Sequence, residues 1–77
     1  MPIDWSRCPV VRARPGYLSG RPAPRDDPRV PPESIVANLD AGETVAQVIE
    51  NYGLRTSPRD VLAVYAYAKK QRVASPV

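Results

Sequence analysis

The distribution of proline constrains this chain more than any other feature of its sequence. Eight of its ten prolines fall within residues 1–32. Proline has no backbone N–H and a fixed φ, so a segment this rich in it cannot form a helix and can contribute only short or edge strands. The sequence therefore predicts an N-terminal arm over residues 1–32, a helical domain over residues 33–73 and a disordered tail at residues 74–77.

Two stretches of the arm favour short strands. Residues 10–13 carry two valines, and residues 21–25 follow the turn signals Pro15-Gly16 and Ser19-Gly20. This order predicts a short β-hairpin. The alternative is an arm that stays disordered until it binds, because its apolar content is low.

Beyond residue 33 the apolar residues recur with the 3.6-residue period of a helix. Gly42 and Gly53 are placed to end the first two helices. Thr44 and Gln47, three residues apart, predict a capping box at the start of the second helix. The predicted core stripes of these helices are Ile35, Val36 and Leu39, then Val45, Val48, Ile49 and Tyr52.

A third helix is predicted from Ser57 as its N-cap and Pro58 at its first position. Its core stripe would be Val61, Val64, Tyr65 and Ala68. A short turn containing Gly53 precedes it, so the last two helices have the outline of a helix-turn-helix. The predicted fold class is mostly α, a three-helix bundle behind a Pro- and Arg-rich arm.

Size and composition argue against catalysis by this chain. It has 77 residues, one cysteine (Cys8) and no histidine. Neither a Ser-His-Asp nor a Cys-His arrangement can be assembled, and a zinc site would need an unusual ligand set. We therefore expect a binding protein that is not an enzyme and uses no cofactor. A chain this short buries only about 60% of its unfolded surface, which favours association with a second copy or another protein.

Targeting signals are not evident. The longest apolar run, residues 61–68, is far shorter than the roughly 18–20 residues that cross a bilayer. The first residues have neither a basic region nor an apolar region of the kind found in signal peptides. We expect a cytoplasmic protein.

Positive charge is concentrated in the arm. Residues 1–32 hold six arginines and three aspartates, whereas the charges of the remainder balance. Arginine suits carboxylate and phosphate partners because of its planar fork of donors. The arm is therefore predicted to meet an acidic partner, unless arginine is simply the cation that the coding sequence favours. The candidate partner-binding residues are Arg12, Arg14, Arg21, Arg25 and Arg29.

The outward face of the third helix is predicted to carry small residues, which suit the close approach of another helix. The expected interface, most simply homodimeric, consists of Ala63, Ala66 and Tyr67. DNA contact and a merely solvated surface are the alternatives. Phosphates would be met near the N-terminal end of this helix by Arg55, Thr56, Ser57 and Arg59.

The order of several short motifs resembles one bacterial family. These motifs are Trp5, Cys8-Pro9-Val10-Val11, Pro15-Gly16, Ser19-Gly20-Arg21-Pro22, Arg29-Val30-Pro31, the run from Asn38 to Thr44, Asp60-Val61 and Ala66-Tyr67-Ala68. They resemble the domain-of-unknown-function 433 family, whose members look like VapB-type antitoxins. The resemblance implies a homeodomain-like three-helix unit behind a β-hairpin arm, often dimeric and encoded beside a PIN-like ribonuclease toxin. The family's Gly-Thr-Arg turn is replaced by Asp26-Asp27-Pro28-Arg29, where we still expect a turn.

Three functions follow as hypotheses. The first is an antitoxin-like protein whose arm arginines pair with the metal-binding carboxylates of a PIN-like ribonuclease. The second is a helix-turn-helix regulator that binds operator DNA, and an autoregulating antitoxin would combine the two. The third is a homodimeric adaptor without a nuclease partner.

Overall fold

The computed structural model describes residues 4–74. A short hairpin of β1 (Val11–Ala13) and β2 (Pro22–Pro24) precedes three helices, α1 (Pro32–Asp40), α2 (Val45–Tyr52) and α3 (Pro58–Ala74). The predicted fold class, three helices behind a short antiparallel hairpin, is confirmed. Of the predicted tail at 74–77, Ala74 is the last residue of α3 and the other three lie outside the described residues.

The hairpin tolerates its prolines because of their register. Pro24 pairs with Val11 and Pro22 pairs with Ala13. The next pair outward is hydrogen-bonded, since the backbone N–H of Arg25 donates to the carbonyl of Val10 at 3.0 Å. Hydrogen-bonded and non-hydrogen-bonded residue pairs alternate along an antiparallel ladder. Both prolines therefore occupy non-hydrogen-bonded positions, where a backbone N–H would point away from the partner strand. Their missing donors therefore cost the ladder nothing and leave the outer edge of β2 poor in donors for another strand.

The helix ends follow the predicted capping chemistry. The Thr44 hydroxyl accepts from the Gln47 backbone N–H at 3.1 Å, and the Gln47 side chain accepts from the Thr44 N–H at 2.9 Å. Gly53 ends α2 in the left-handed conformation, with φ of 61°. Ser57 Oγ accepts from the Asp60 N–H at 3.2 Å and caps α3. These contacts satisfy backbone donors that a helix terminus otherwise leaves unpaired.

The arm forms part of the core rather than an appendage to it. One cluster of buried residues joins the arm to all three helices. It contains Trp5, Cys8, Val10 and Val11 from the arm, with Ile35, Val36, Val48, Leu54, Val61, Val64 and Ala68 from the helical half. The arm is thus folded in the free chain, which decides against the disordered alternative.

One predicted core residue is exposed. Tyr52, the last residue of α2, is 43% exposed, and its hydroxyl accepts a hydrogen bond from Asn38 Nδ2 at 2.8 Å. The predicted stripe runs one turn too far because the bundle does not cover the end of α2. Tyr65 is half-buried, and its hydroxyl donates to Asp40 at 2.9 Å. Among residues 4–74, no helix combines the length and apolarity that a membrane span requires.

Candidate functional site

Within residues 4–74, two of the five candidate arm arginines donate side-chain hydrogen bonds. Arg25 Nη2 donates to Asp60 Oδ2 on α3 at 3.3 Å, which ties the end of β2 to the third helix. Arg14 Nη2 donates to the backbone carbonyl of Arg25 at 2.9 Å across the hairpin. The guanidinium of Arg25 is about half exposed, so its ion pair contributes at most about 1 kcal/mol. These two side chains act first as parts of the fold.

Arg29 is held by an aromatic ring. Its guanidinium carbon lies 5.7 Å from the centroid of the Tyr17 ring, within the range of a cation–π contact. A cation–π contact uses the charge of the guanidinium and none of its N–H donors, so these stay available to an acceptor. The ring therefore restricts the Arg29 side chain while its N–H groups stay free to donate to a partner.

Arg12 and Arg21 remain exposed. Arg12 lies in the middle of β1, and Arg21 lies directly before β2. Within residues 4–74, neither guanidinium has an acidic partner or a carbonyl acceptor. These two cations are presented to solvent by a hairpin whose buried side is anchored in the core.

The loop before α3 is bound by an aspartate of the arm. The Asp27 carboxylate accepts from the backbone N–H of Arg55 at 3.0 Å, from the N–H of Thr56 at 2.9 Å and from the Thr56 hydroxyl. Asp27 lies in the turn region expected where the family's glycine is absent, and the Val30 N–H donates to its carbonyl at 3.1 Å. The carboxylate occupies the position in which an external anion would meet these backbone donors.

This contact changes the interpretation of the predicted phosphate-binding set. Thr56 is buried, only 4% exposed, and both of its donors are directed to Asp27, so it is not the accessible phosphate contact that the sequence suggested. Ser57 uses its hydroxyl to cap α3. Arg55 and Arg59 remain exposed and form the part of the set that can reach a ligand.

An open groove lies between the arm and this loop. It has a volume of about 430 Å³ and is lined by Tyr17, residues 26–30 and Arg55. The groove brings together Arg29, predicted for a protein partner, and Arg55, predicted for nucleic acid. The spacing of residues in the sequence gives no sign that Arg29 and Arg55 lie close together. Their proximity depends on the hydrogen bonds of Asp27 to Arg55 and Thr56, which follow it by 28 and 29 positions in the chain.

The predicted interface on α3 is partly covered. Tyr67 is half-buried, its ring stacks on Trp5 with 5.5 Å between centroids, and its hydroxyl donates to the carbonyl of Asp4. Ala63 also packs against the core. Of the three predicted interface residues, only Ala66 is therefore exposed: the arm partly covers Tyr67 and the core partly covers Ala63. That the three form an interface stays a prediction.

The face that α3 exposes instead is centred on Leu62. Leu62 is 52% exposed, and Ala66, one turn further on, is also exposed. Lys69 continues this face, with its ammonium 5.0 Å from the centroid of the Tyr65 ring. Sequence reasoning missed Leu62, although the predicted core stripe of Val61, Val64, Tyr65 and Ala68 leaves position 62 outside that stripe, on the outward side of the helix.

Among the described residues, the pKa values of the Cys8 thiol and the Asp4 carboxyl are shifted by their surroundings. Burial raises the pKa of the Cys8 thiol, outweighing backbone hydrogen bonds from Val10 and Val11 that lower it. The side-chain and backbone hydrogen bonds of Ser6 hold the pKa of Asp4 below its usual value. Among the described residues, no cluster of three His, Cys, Asp or Glu side chains could hold a metal ion. A buried thiol with a raised pKa is a poor nucleophile, because little of it is thiolate at neutral pH.

Comparison of the sequence with models of protein families identifies the family of this chain. The family model DUF433, described as a protein of unknown function, matches residues 11–68. The chain belongs to the DUF433 family. The matched region of this DUF433 protein begins at β1, contains all five candidate arm arginines and the groove, and ends within α3; Trp5 and Cys8 precede it. No curated protein and no solved structure matches the chain.

Proposed function

We propose that this DUF433 protein is an antitoxin-like binding protein that neutralises a PIN-like ribonuclease. The observation that carries the proposal is the pair of exposed guanidiniums, Arg12 and Arg21, on a hairpin anchored to the core by Val10 and Val11. A metal-dependent nuclease gathers carboxylates around its ion. A guanidinium offers such carboxylates a planar set of donors and can compete with the metal for them.

Rigidity of the arm supports this role. The hairpin is attached to α3 through Arg25 and Asp60, and to the loop before α3 through Asp27. A binding segment that is ordered before association loses less conformational entropy on binding. The two cations thus meet a partner without a prior folding step.

The test uses a PIN-like nuclease encoded beside this gene. Arg12→Glu with Arg21→Glu should abolish co-purification with the nuclease and restore its RNA cleavage. Arg59→Glu is the matched control, since it reverses an exposed arginine on α3 and leaves the hairpin untouched. Arg14 and Arg25 are left in place because their hydrogen bonds hold the arm. Undiminished binding by the double variant would refute the proposal.

Operator DNA is a second candidate, favoured by the two exposed arginines at the start of α3. Arg55 and Arg59 flank the N-terminal end of a helix that follows a short turn after α2, the outline of a helix-turn-helix. Binding should weaken steeply with salt, because phosphate contacts release counterions. A gel shift on upstream DNA at low salt, lost in the Arg55→Gln, Arg59→Gln variant, would support it; no shift at low salt would exclude it.

A homodimeric adaptor is the third candidate. The exposed pair Leu62 and Ala66 on α3 favours it, since a small residue beside an exposed leucine lets another helix approach closely. A gene with no nuclease neighbour and a protein that forms dimers would support this function over the first.

A further inference from the structure

We propose that the groove between the arm and the loop before α3 is a receptor for one carboxylate side chain of a partner protein, held by Arg29 and Arg55. The inference rests on the proposed function only in taking a protein as the partner. It adds a second contact site, separate from Arg12 and Arg21 on the hairpin. It also replaces the separate roles that the sequence suggested for Arg29 and Arg55 with one shared role.

The two arginines are available as donors. Arg29 is oriented by the Tyr17 ring at 5.7 Å, and neither its guanidinium nor that of Arg55 donates to an acceptor within residues 4–74. The backbone of Arg55 is fixed, because its N–H donates to Asp27 at 3.0 Å. A cation–π contact that restricts the Arg29 side chain, and a hydrogen bond that fixes the Arg55 backbone, reduce the entropy lost when a ligand binds.

The acidic residues of the groove do not neutralise these donors directly. Asp27 directs its carboxylate to Arg55 N–H, Thr56 N–H and the Thr56 hydroxyl, so its charge is met by three donors of the loop. Asp26 is exposed, and within the described part of the chain its carboxylate has no ion pair. The arginine donors are thus open to an added carboxylate.

The charge of the groove selects a single carboxylate over a polyanion. Arg29 and Arg55 are balanced by Asp26 and Asp27, so the lining as a whole is close to neutral. A nucleic-acid backbone is held mainly by the release of counterions from many phosphates, and a neutral surface provides little of that. One acidic side chain needs only the local donors, and its methylene groups can pack on the apolar surface of Pro28 and Val30.

The test is a titration of the whole protein, followed by NMR of the arginine Nε–Hε groups. The ligand is the capped peptide acetyl-Ala-Glu-Ala-amide, and its control is the isosteric peptide with glutamine in the middle. We expect the Arg29 and Arg55 resonances to shift saturably with the glutamate peptide and not with the glutamine peptide. Arg29→Gln or Arg55→Gln should weaken the affinity about fivefold, as expected for loss of one exposed charge-assisted contact.

Two further variants make the result specific. Arg29→Lys keeps the charge and removes the planar fork, so its affinity should lie between those of the wild type and Arg29→Gln. Arg59→Gln removes an exposed arginine outside the groove and should leave the affinity unchanged. Equal shifts with both peptides, or an equal loss in Arg59→Gln, would overturn the proposal. So would a short DNA duplex that shifts the same two resonances at lower concentration than the peptide.

This experiment needs no nuclease, so it can fail or succeed independently of the proposed function. Specific shifts together with no nuclease binding would leave the groove in place and remove the antitoxin role. Nuclease binding that depends on Arg12 and Arg21, with no response of the groove to the peptide, would remove the groove and keep the antitoxin role.

Discussion

The carboxylate of Asp27 joins the arm to the loop that leads into α3. It accepts from two consecutive backbone N–H groups and from a hydroxyl that is almost completely buried. A buried backbone N–H without an acceptor destabilises the fold by more than a formed hydrogen bond stabilises it, because the N–H loses its hydrogen bond to water and gains no partner. Asp27 therefore has a larger effect on stability than its position in a surface turn suggests.

Substitution of Asp27 tests this. Asp27→Ala should lower the free energy of unfolding by about 2 kcal/mol, because it leaves the donors of Thr56 without their acceptor. The measurement is urea denaturation followed by circular dichroism. Asp26→Ala is the matched control: it removes the same charge from the neighbouring exposed position and should change stability by less than about 0.5 kcal/mol. Equal effects of the two substitutions would mean that charge, rather than hydrogen bonding, matters here.

Cys8 gives a prediction for alkaline pH. Burial raises the pKa of its thiol above the ordinary value of 9.0, so the folded chain holds this proton more tightly than the unfolded chain does. The stability that the protonated thiol contributes is complete below pH 9.0 and is lost as the pH rises through the folded pKa. The free energy of unfolding should therefore fall in this window by more in the wild type than in Cys8→Ala. Parallel pH profiles for the two proteins would contradict the assignment.

At the scale of elements, the sequence predicts those features that depend on residues close together in the chain, such as helix caps and strand positions. The capping box of Thr44 and Gln47, the end of α2 at Gly53 and the Ser57 cap depend on residues at most four apart, and the sequence predicts all three correctly. The positions of the strands followed from turn residues in the same way. Local chemistry was enough for the elements themselves.

Contacts between elements could not be read from the sequence. Asp27 accepts hydrogen bonds from Arg55 and Thr56, at sequence separations of 28 and 29. Tyr67 contacts Asp4 at a sequence separation of 63. Helical periodicity separates an inner from an outer face but does not reveal that an arm covers part of the outer face. For that reason Tyr67 was assigned to an interface and Thr56 to phosphate, whereas both are used to fix the arm.

The contact between the arm and α3 can be followed by fluorescence, since Trp5 is the only tryptophan. Its ring is 3% exposed, stacks on Tyr67, and its indole N–H donates to Glu33 at 3.2 Å. Tyr67→Ala should expose the indole, shift its emission to longer wavelength and destabilise the fold by about 3 kcal/mol. Tyr52→Ala, which removes an exposed tyrosine from α2, should leave the emission unchanged. An unshifted spectrum in Tyr67→Ala would show that the arm is held without this stack.

At the scale of the whole molecule, the arm and the helical half share one buried core. The buried cluster takes Trp5, Val10 and Val11 from the arm and packs them with the centres of α1 and α3. A chain of 77 residues has little buried surface to spare, so the removal of these residues uncovers a large part of its core. The chain therefore places its exposed arginines on the same body that its buried valines stabilise, and the proposed partner would contact the arm and the groove as one surface.

If the chain self-associates, we expect it to do so through the exposed face of α3. Its apolar centre, Leu62 and Ala66, lies among Arg59, Lys69 and Lys70, which are all exposed and positive. Two copies packed antiparallel on this face would set Arg59 of one beside Lys69 of the other. Like charges at such distances oppose association, and salt screens them. A homodimer through this face is therefore expected to be weak at low salt and stronger at high salt.

Sedimentation velocity measures this directly. The chain should sediment as an 8.5 kDa monomer in about 50 mM NaCl and show increasing dimer in about 500 mM NaCl, where the screening length is several times shorter. Lys69→Glu should promote the dimer at low salt, because Arg59 of one copy then faces a carboxylate of the other. Leu62→Ser should abolish the dimer at any salt concentration by removing its apolar centre. A dimer that is stable at low salt and indifferent to both substitutions would place the self-association surface away from α3, and the exposed leucine would then be left for a different partner.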